Sequence, residues 1–245
     1  MLKAIAACAL PALLIALAPI PAAADLDGPA TGDDAYAGGL TGYDVAHLGC
    51  GGELPYGNFG IVGVNSGRPF HYNPCLGDQF RLGQAVYVNT AYDLAYGNRI
   101  SATCAAAAAS ALARASERTA WGIGCSQAEG DVLEAATALP ELPAMWWLDV
   151  EVMNSWDSYA PLNRRALEGA VWVLSRTGRP VGAYSTGYQW GVITGGWRPD
   201  SIAANWVAGA QSSDAAPLRC GRGFTGAPVW LVQFTRGKLD LDFSC

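Results

Sequence analysis

The sequence predicts an α/β fold: a single TIM-like (β/α) barrel, irregular because it has fewer than eight helices, with three disulfides. Short apolar runs alternate with helix-like segments, which favours a β/α barrel over a β-sandwich. Most of these runs are apolar on both faces, as parallel strands covered by helices are. Six cysteines follow the first 24 residues, an even number that suits disulfides.

Eight apolar runs are candidate strands. They are Gly42–His47, Gly60–Asn65, Ala85–Asn89, Trp146–Glu151, Val181–Ser185, Ala203–Ala208, Val229–Phe234 and Leu239–Phe243. Helical patterns cover Cys104–Arg118, Gly130–Leu139 and Asn163–Arg176. The helix signal after Val192 is weak, so we expect loops to join the last strands.

The first 24 residues are typical of a secretory signal peptide. Lys3 precedes an apolar run from Ala4 to Ile20, and Ala22–Ala24 offers a small-residue cleavage site. Two prolines interrupt a run that is already short for a membrane span, which favours cleavage over a transmembrane anchor. The sequence therefore predicts a secreted protein, with association with the cell wall as one option.

The remaining chain is expected to hold one domain. Residues 25–39 have too few apolar groups to pack and are predicted to be a flexible leader. Residues 40–245 are predicted to form the barrel domain. The formal net charge is −6 without a basic stripe, which gives nucleic acid and anionic membranes no electrostatic footing. We expect a monomer without a nucleic-acid partner and, once the signal is cleaved, without membrane contact.

The six remaining cysteines indicate disulfides in an exported chain. A zinc site is the alternative, but the sequence has no C-x-x-C pair and only two histidines, so we expect no metal and no cofactor. Sequence alone permits other connectivities. We expect sequential pairing, because each bridge then closes a short stretch between neighbouring elements: Cys50 with Cys75, Cys104 with Cys125 and Cys220 with Cys245.

Polar residues recur at the ends of the predicted strands, where β/α barrels carry their functional groups. Any single asparagine here is more often part of an internal hydrogen-bond network, but burying a whole set of acids and amides without partners costs ~1–3 kcal/mol each. The set therefore favours a polar ligand cleft. Its members are Asp44, Asn65, Asn89, Asp149, Glu151, Tyr184, Asn205, Trp206, Gln233 and Asp240.

The sharpest motif is the D-x-E of Asp149 and Glu151. Residues i and i+2 of a strand share a face, so both carboxyls point into the barrel mouth. Because two close carboxylates resist simultaneous ionisation, one is expected to hold a proton. A protonated Glu151 could serve as general acid, with Asp149 ionised beside it. Asp44 and Asp240, on first and last strands that adjoin in a closed barrel, would complete the acidic set.

These motifs resemble glycoside hydrolase family 25, the barrel lysozymes that cut peptidoglycan between N-acetylmuramic acid and N-acetylglucosamine. The resemblance spans residues 42–243 in the family's order. It rests on GYDVAH at 42–47, the D-x-E pair, Tyr184-Ser185, NWVA at 205–208, QFT at 233–235 and LDLD at 239–242. Val232 departs from the family's usual Trp, and Val64-Asn65 from an Arg-containing segment. Longer strings such as WWLDVE and YSTGYQW are similar to a group of uncharacterised secreted actinobacterial proteins described as glycoside-hydrolase-like.

The resemblance implies a lysozyme-like O-glycosyl hydrolase acting on a cell-wall, peptidoglycan-like polysaccharide. Glu151 would be the proton donor, assisted by Asp149, Asp44 and Asp240. The polar residues at the other strand ends would bind the polysaccharide: Asn65, Asn89, Tyr184, Asn205, Trp206 and Gln233. Two alternatives stay open on the same barrel. One is a non-catalytic carbohydrate-binding or envelope protein, and the other is a hydrolase of another exported glycan.

Overall fold

The computed structural model describes residues 35–245, which form a closed barrel of eight strands with a ninth short strand at one edge. The predicted signal peptide and residues 25–34 lie outside the described residues. All eight predicted strands are present, and only the two-residue β7 was not predicted. The strands are β1 Thr41–Val45, β2 Gly60–Gly63, β3 Gly83–Asn89, β4 Met145–Asp149, β5 Val181–Ser185, β6 Ala204–Ala210, β7 Gly221–Arg222, β8 Pro228–Arg236 and β9 Leu239–Ser244.

The last strand closes the barrel in the reverse direction. Strands β1 to β6 pair in parallel and in order, and β8 continues this arrangement beside β6. β9 then runs antiparallel to both β8 and β1, with Asp242 opposite Gly42 and Gln233. The first residues of β9 consequently lie at the rim where the parallel strands end. This reversal brings Asp240 to the same rim as the predicted strand-end residues.

The helices depart from prediction in their bounds. They are α1 Leu76–Gln79, α2 Ala102–Ala111, α3 Ala115–Ala138, α4 Ala160–Ser175 and α5 Gly187–Thr194. The predicted helix 104–118 is split between two helices, because the chain leaves helical geometry at Leu112 and starts again at Ala115. α3 then runs unbroken through 119–129, which had no predicted helix. Among the described residues, no helix combines the length and the apolar character that crossing a membrane requires.

The glycines in the middle of α3 disfavour a helix in the sequence, and close packing explains why they are there. Glycine lowers helix propensity, but a Cβ at Gly124 would collide with the backbone of Ala166 on α4. In return, a Cβ at Gly169 on α4 would collide with the backbone of Trp121 on α3. The two helices therefore touch through backbone, which a local sequence pattern does not show.

The weak helix signal lies after Val192, whereas helix α5 begins earlier, at Gly187. Thr186 caps it by accepting a hydrogen bond from the Gln189 amide at 3.1 Å, and Gly195 ends it with a left-handed φ of 66°. Thr186 and Gln189 form a T-x-x-Q capping signature that could have located its start. Between β6 and β9 the described chain has no helix apart from the short 3-10 turn Ala216–Arg219, so the loops expected between these strands are confirmed.

All three predicted disulfides are present with sequential pairing: Cys50–Cys75, Cys104–Cys125 and Cys220–Cys245. The end of the predicted leader needs a correction. Tyr36 is 5% exposed, and its hydroxyl accepts a hydrogen bond from Trp147 Nε1 at 3.0 Å. Ser244 also bonds to the backbone of Ala37 and Gly39, so the packed domain includes residues 35–39.

Strand alternation separates an inner from an outer apolar layer. Trp147 on β4 packs inside the barrel with Trp206 on β6, at 5.9 Å between ring centroids. Its neighbours Trp146 and Leu148 face outward, in a cluster with Leu167 of α4. The barrel interior is thus filled by aromatic rings below the rim, and polar side chains occupy the rim itself.

A buried acid joins α3 to two strand ends. Asp131 is 4% exposed, and its Oδ1 accepts a hydrogen bond from Asn65 Nδ2 at 3.3 Å. Burial raises the pKa of Asp131 to about 8, with a smaller contribution from Glu134, while the Asn65 bond acts in the opposite direction. Asp131 therefore carries a proton at neutral pH.

We predict that Asp131→Asn stabilises the protein in a pH-dependent way. The folded pKa lies above the unfolded value of about 4, so the wild type loses stability as pH rises from about 4 to about 8. The variant has no proton to lose, and its amide oxygen can still accept from Asn65. Denaturant unfolding should give a gain of roughly 2–5 kcal/mol at pH 8 and little gain at pH 4. The exposed Asp200→Asn is the control, and equal gains at both pH values would contradict the assignment.

Candidate active site

Four carboxyl groups from three strands meet at one rim of the barrel. Asp44 stands near the end of β1, Asp149 ends β4 with Glu151 two residues beyond, and Asp240 lies at the start of β9. Their charges act on one another: Asp240 and Glu151 raise the pKa of Asp44, and Glu151 and Asp44 raise that of Asp149. The four acids predicted from separate parts of the sequence are therefore brought together.

A chain of hydrogen bonds positions Asp44. The Tyr184 hydroxyl donates to Gln233 Oε1 at 2.8 Å, and Gln233 Nε2 donates to Asp44 Oδ2 at 2.8 Å. Burial raises the pKa of Asp44 to about 7, although hydrogen bonds from Gln233 and Asp242 act in the opposite direction. Asp44 consequently titrates near neutral pH. Tyr184 and Gln233 are half-buried at the rim, where a ligand can reach them.

Asp149 lies deeper than the sequence suggested. It is 6% exposed, and Asn89 Nδ2 donates to its Oδ2 at 2.7 Å. Its Oδ1 is buried without a hydrogen-bond partner among the described residues. Burial, followed by the charge of Glu151, raises the pKa of Asp149 to about 8. So dry a position favours the protonated acid in the unliganded protein, whereas the sequence favours an ionised Asp149.

Glu151 is the more accessible member of the D-x-E pair. Burial and the charge of Asp240 raise its pKa, whereas a hydrogen bond from Gln189 lowers it. Gln189 also accepts a hydrogen bond from the Val152 amide at 2.7 Å, and Trp156 Nε1 donates to the Glu151 carbonyl at 2.8 Å. The peptide group between Glu151 and Val152 is thus held by side chains from its own loop and from α5.

Sequence reasoning missed three residues of this site. The pKa of Tyr87 lies well above its usual value because of burial and the surrounding acids. Asp242 is fully buried, and its Oδ1 accepts from Trp206 Nε1 at 2.7 Å. Period-two alternation could have found both, since Tyr87 precedes Asn89 by two residues and Asp242 follows Asp240 by two. The third, Gln189, belongs to the capping signature of α5.

Two of the predicted ligand-binding asparagines are structural. Asn65 is 1% exposed, and its side-chain amide forms hydrogen bonds with Asp131 and with the backbone of Asn89. Asn205 is fully buried, donates to Thr225 Oγ1 at 2.9 Å and accepts from the Thr225 amide at 3.1 Å. Both side chains are therefore engaged inside the fold, and their role in substrate binding stays a prediction.

Trp206 and Asn89, also predicted to bind the ligand, support the acids from below. Trp206 is only 2% exposed and packs at a tilt against Tyr184, with 4.5 Å between ring centroids. Asn89 is 8% exposed and holds Asp149. Trp206 thus forms the floor beneath the site. Tyr184 and Tyr87, whose rings contact Trp206, are half-buried.

Two cavities lie near the rim. One of about 490 Å³ lies between the segments Tyr92–Leu94 and Asn154–Asp157, next to the loop that carries Glu151. A second cavity of about 390 Å³ lies around Gly49–Leu54. Neither of these cavities is lined by the four acids, of which Asp240 is exposed to solvent, Asp44 and Glu151 are half-buried and Asp149 is buried.

One cluster among the described residues has the spacing of a metal site: Cys104, Cys125 and Glu129. The two cysteines are joined in a disulfide, so their sulfurs are not available as thiolate ligands. The acids at the rim are not part of this cluster.

No family model matches the sequence, and no curated protein matches it. Solved structures do match its fold. A muramidase from Trichobolus zukalii is 14% identical with a TM-score of 0.52, over 84% of this chain and 93% of that one. A family GH25 lysozyme from Aspergillus fumigatus is 12% identical with a TM-score of 0.51, over 84% and 94%.

The modular autolysin LytC from Streptococcus pneumoniae, solved in complex with a synthetic peptidoglycan ligand, is 13% identical with a TM-score of 0.52. The match covers 83% of this chain and 46% of that one. At these identities the likeness concerns the fold. The chain therefore has a barrel like that of the family 25 lysozymes.

Proposed function

We propose that this protein is a secreted glycosidase that cleaves a cell-wall, peptidoglycan-like polysaccharide with Glu151 as general acid. The observation that carries the proposal is the convergence of Asp44, Asp149, Glu151 and Asp240 at one rim of the barrel. The fold it shares with muramidases and lysozymes supports the substrate class, since LytC was solved with a peptidoglycan ligand. Three disulfides are compatible with export.

The D-x-E pair supplies the proton. Burial, followed by the charge of Glu151, raises the pKa of Asp149, so the protonation of one acid depends on that of the other. Burial keeps one proton on the pair at neutral pH, and Glu151 is the member that a substrate can reach. Glu151 donates this proton to the glycosidic oxygen as the bond to the anomeric carbon breaks, and the leaving sugar departs as an alcohol.

The acids left behind stabilise the positive charge that develops at the anomeric carbon. Asp149 becomes the ionised member once the proton resides on Glu151, and Asp44 titrates close to neutral pH. On a sugar with a 2-acetamido group, the carbonyl oxygen of that group can bond to the anomeric carbon. Water then displaces it, and the Glu151 carboxylate takes the proton from water. The substrate itself serves as nucleophile in this route.

We predict that Glu151→Gln lowers the release of reducing ends from purified peptidoglycan by at least 100-fold, because the amide cannot donate a proton in this way. The fold should be retained, since Glu151 is only half-buried. Glu141→Gln is the matched control, because Glu141 is exposed and precedes β4 at the opposite end of the barrel. Equal activity of wild type and Glu151→Gln would remove Glu151 from the mechanism.

The same assay on a glycan panel separates the alternatives. Peptidoglycan, an arabinan and a glucan are incubated with the full mature chain, and both sugar release and binding are measured. Release from peptidoglycan alone supports the proposal. Release from another panel member makes the protein a hydrolase of that glycan. Binding without release from any member makes it a carbohydrate-binding protein on an enzyme-like barrel.

We predict opposite shifts of the pH–rate profile for two neighbours of Glu151. The charge of Asp240 raises the pKa of Glu151 and the Gln189 hydrogen bond lowers it. The alkaline limb of kcat/KM reports the loss of the general-acid proton. Asp240→Asn should therefore move this limb to lower pH, and Gln189→Met should move it to higher pH, each by roughly 0.5–1 unit because the site is partly solvated.

The exposed Asp200→Asn is the control for this pair of shifts, since it removes one charge at the other end of the barrel. Its alkaline limb should coincide with that of the wild type. Shifts of the same sign for Asp240→Asn and Gln189→Met would contradict the assignment of the limb to Glu151.

A further inference from the structure

Asp242 is the acid of this rim to which sequence reasoning gave no role. It lies on β9 with Gly42 of β1 and Gln233 of β8 as its cross-strand neighbours. Its side chain is fully buried, and Trp206 Nε1 donates to Oδ1 at 2.7 Å. Oδ2 is buried too, and no hydrogen-bond donor reaches it among the described residues.

The groups that face Asp242 carry no positive charge. They are Asp44 on β1, Tyr184 on β5, Trp206 on β6, Gln233 on β8 and Asp240 on β9. The ion pairs of the described residues lie elsewhere, where arginines at 114 and 165 meet glutamates of α3 and α4. A buried carboxylate needs a cation or several donors to remain ionised. Asp242 has one donor and carboxyl neighbours.

We propose that Asp242 is a neutral carboxylic acid in the folded protein and that its Oδ2–H donates a hydrogen bond to the Asp44 carboxylate. This assignment gives the orphaned oxygen a partner, because Oδ2 becomes a donor and the adjacent Asp44 an acceptor. Asp242 is then a positioning residue. It faces the aromatic floor of the barrel on one side, through Trp206, and the rim on the other, through Asp44.

The direction of the pKa values agrees with this geometry. Burial and the charge of Asp44 raise the pKa of Asp242 well above its usual range. Burial raises the pKa of Asp44 to about 7, while the hydrogen bonds from Gln233 and Asp242 act in the opposite direction. The two acids thus divide their protons unequally: Asp242 holds one throughout the neutral range, and Asp44 can ionise beside it. What ionised Asp44 does for a substrate rests on the proposed function, whereas the proton on Asp242 does not.

Asparagine has the acceptor and donor that a neutral aspartic acid has, which defines the test. Full mature chains of wild type, Asp242→Asn and the exposed control Asp200→Asn are unfolded thermally between pH 4 and pH 8. The folded pKa of Asp242 is raised, so the wild type should lose stability relative to Asp242→Asn as pH climbs above about 4. We expect the Tm advantage of Asp242→Asn to widen steadily with pH, and the control to track the wild type.

Infrared difference spectra provide a second readout that folding alone does not produce. At neutral pH, wild type minus Asp242→Asn should contain the carbonyl stretch of a protonated carboxylic acid. A missing band, or a Tm difference that is flat or reversed with rising pH, would overturn the proposal by showing Asp242 ionised. If both readouts hold while no panel glycan is cleaved, the neutral Asp242 stands and the glycosidase assignment fails.

Discussion

The burial of acids in a barrel mouth without cations is the constraint on which this structure depends. Asp44, Asp149 and Asp242 lie in the mouth and Asp131 lies on α3, and burial is the first cause of the raised pKa in each. Ionised, these acids would face a desolvation cost, and those in the mouth would also repel one another. Protons take the place that cations hold in a salt bridge, and each acid accepts a hydrogen bond from a neighbouring side chain.

The same constraint links stability to activity. Acids with raised pKa values destabilise a fold as pH rises, so a barrel optimised only for stability would carry apolar or amide side chains in these positions. Retaining them provides a proton that can be transferred near neutral pH. The antiparallel β9 makes the arrangement possible, because it turns Asp240 and Asp242 toward the rim where the parallel strands end. Close contact of α3 with α4 at Gly124 and Gly169 braces the barrel from outside.

Local signals in the sequence predict most of the fold and half of the site. Apolar runs located all eight barrel strands, and cysteine order gave the disulfides. The same-face rule placed Asp149 beside Glu151. Three features depend on contacts between distant parts of the chain, and local patterns do not predict them: the continuity of α3 across Gly124, the inward bonding of Asn65 and Asn205, and the depth of Asp149. The direction in which a side chain at a strand end points is set by the partner that it contacts. The local sequence pattern does not contain this partner.

Counting the protons released on unfolding tests the central constraint most directly. The mature chain is unfolded by denaturant at pH 6 in weakly buffered solution, and the proton balance is read by pH-stat titration. Buried acids that hold protons in the fold must release them when exposed to water, where carboxyls ionise near pH 4, so several protons per chain should appear. A balance of zero, or a net uptake of protons, would mean that these acids are ionised in the folded barrel. That result would contradict the account of buried, protonated acids.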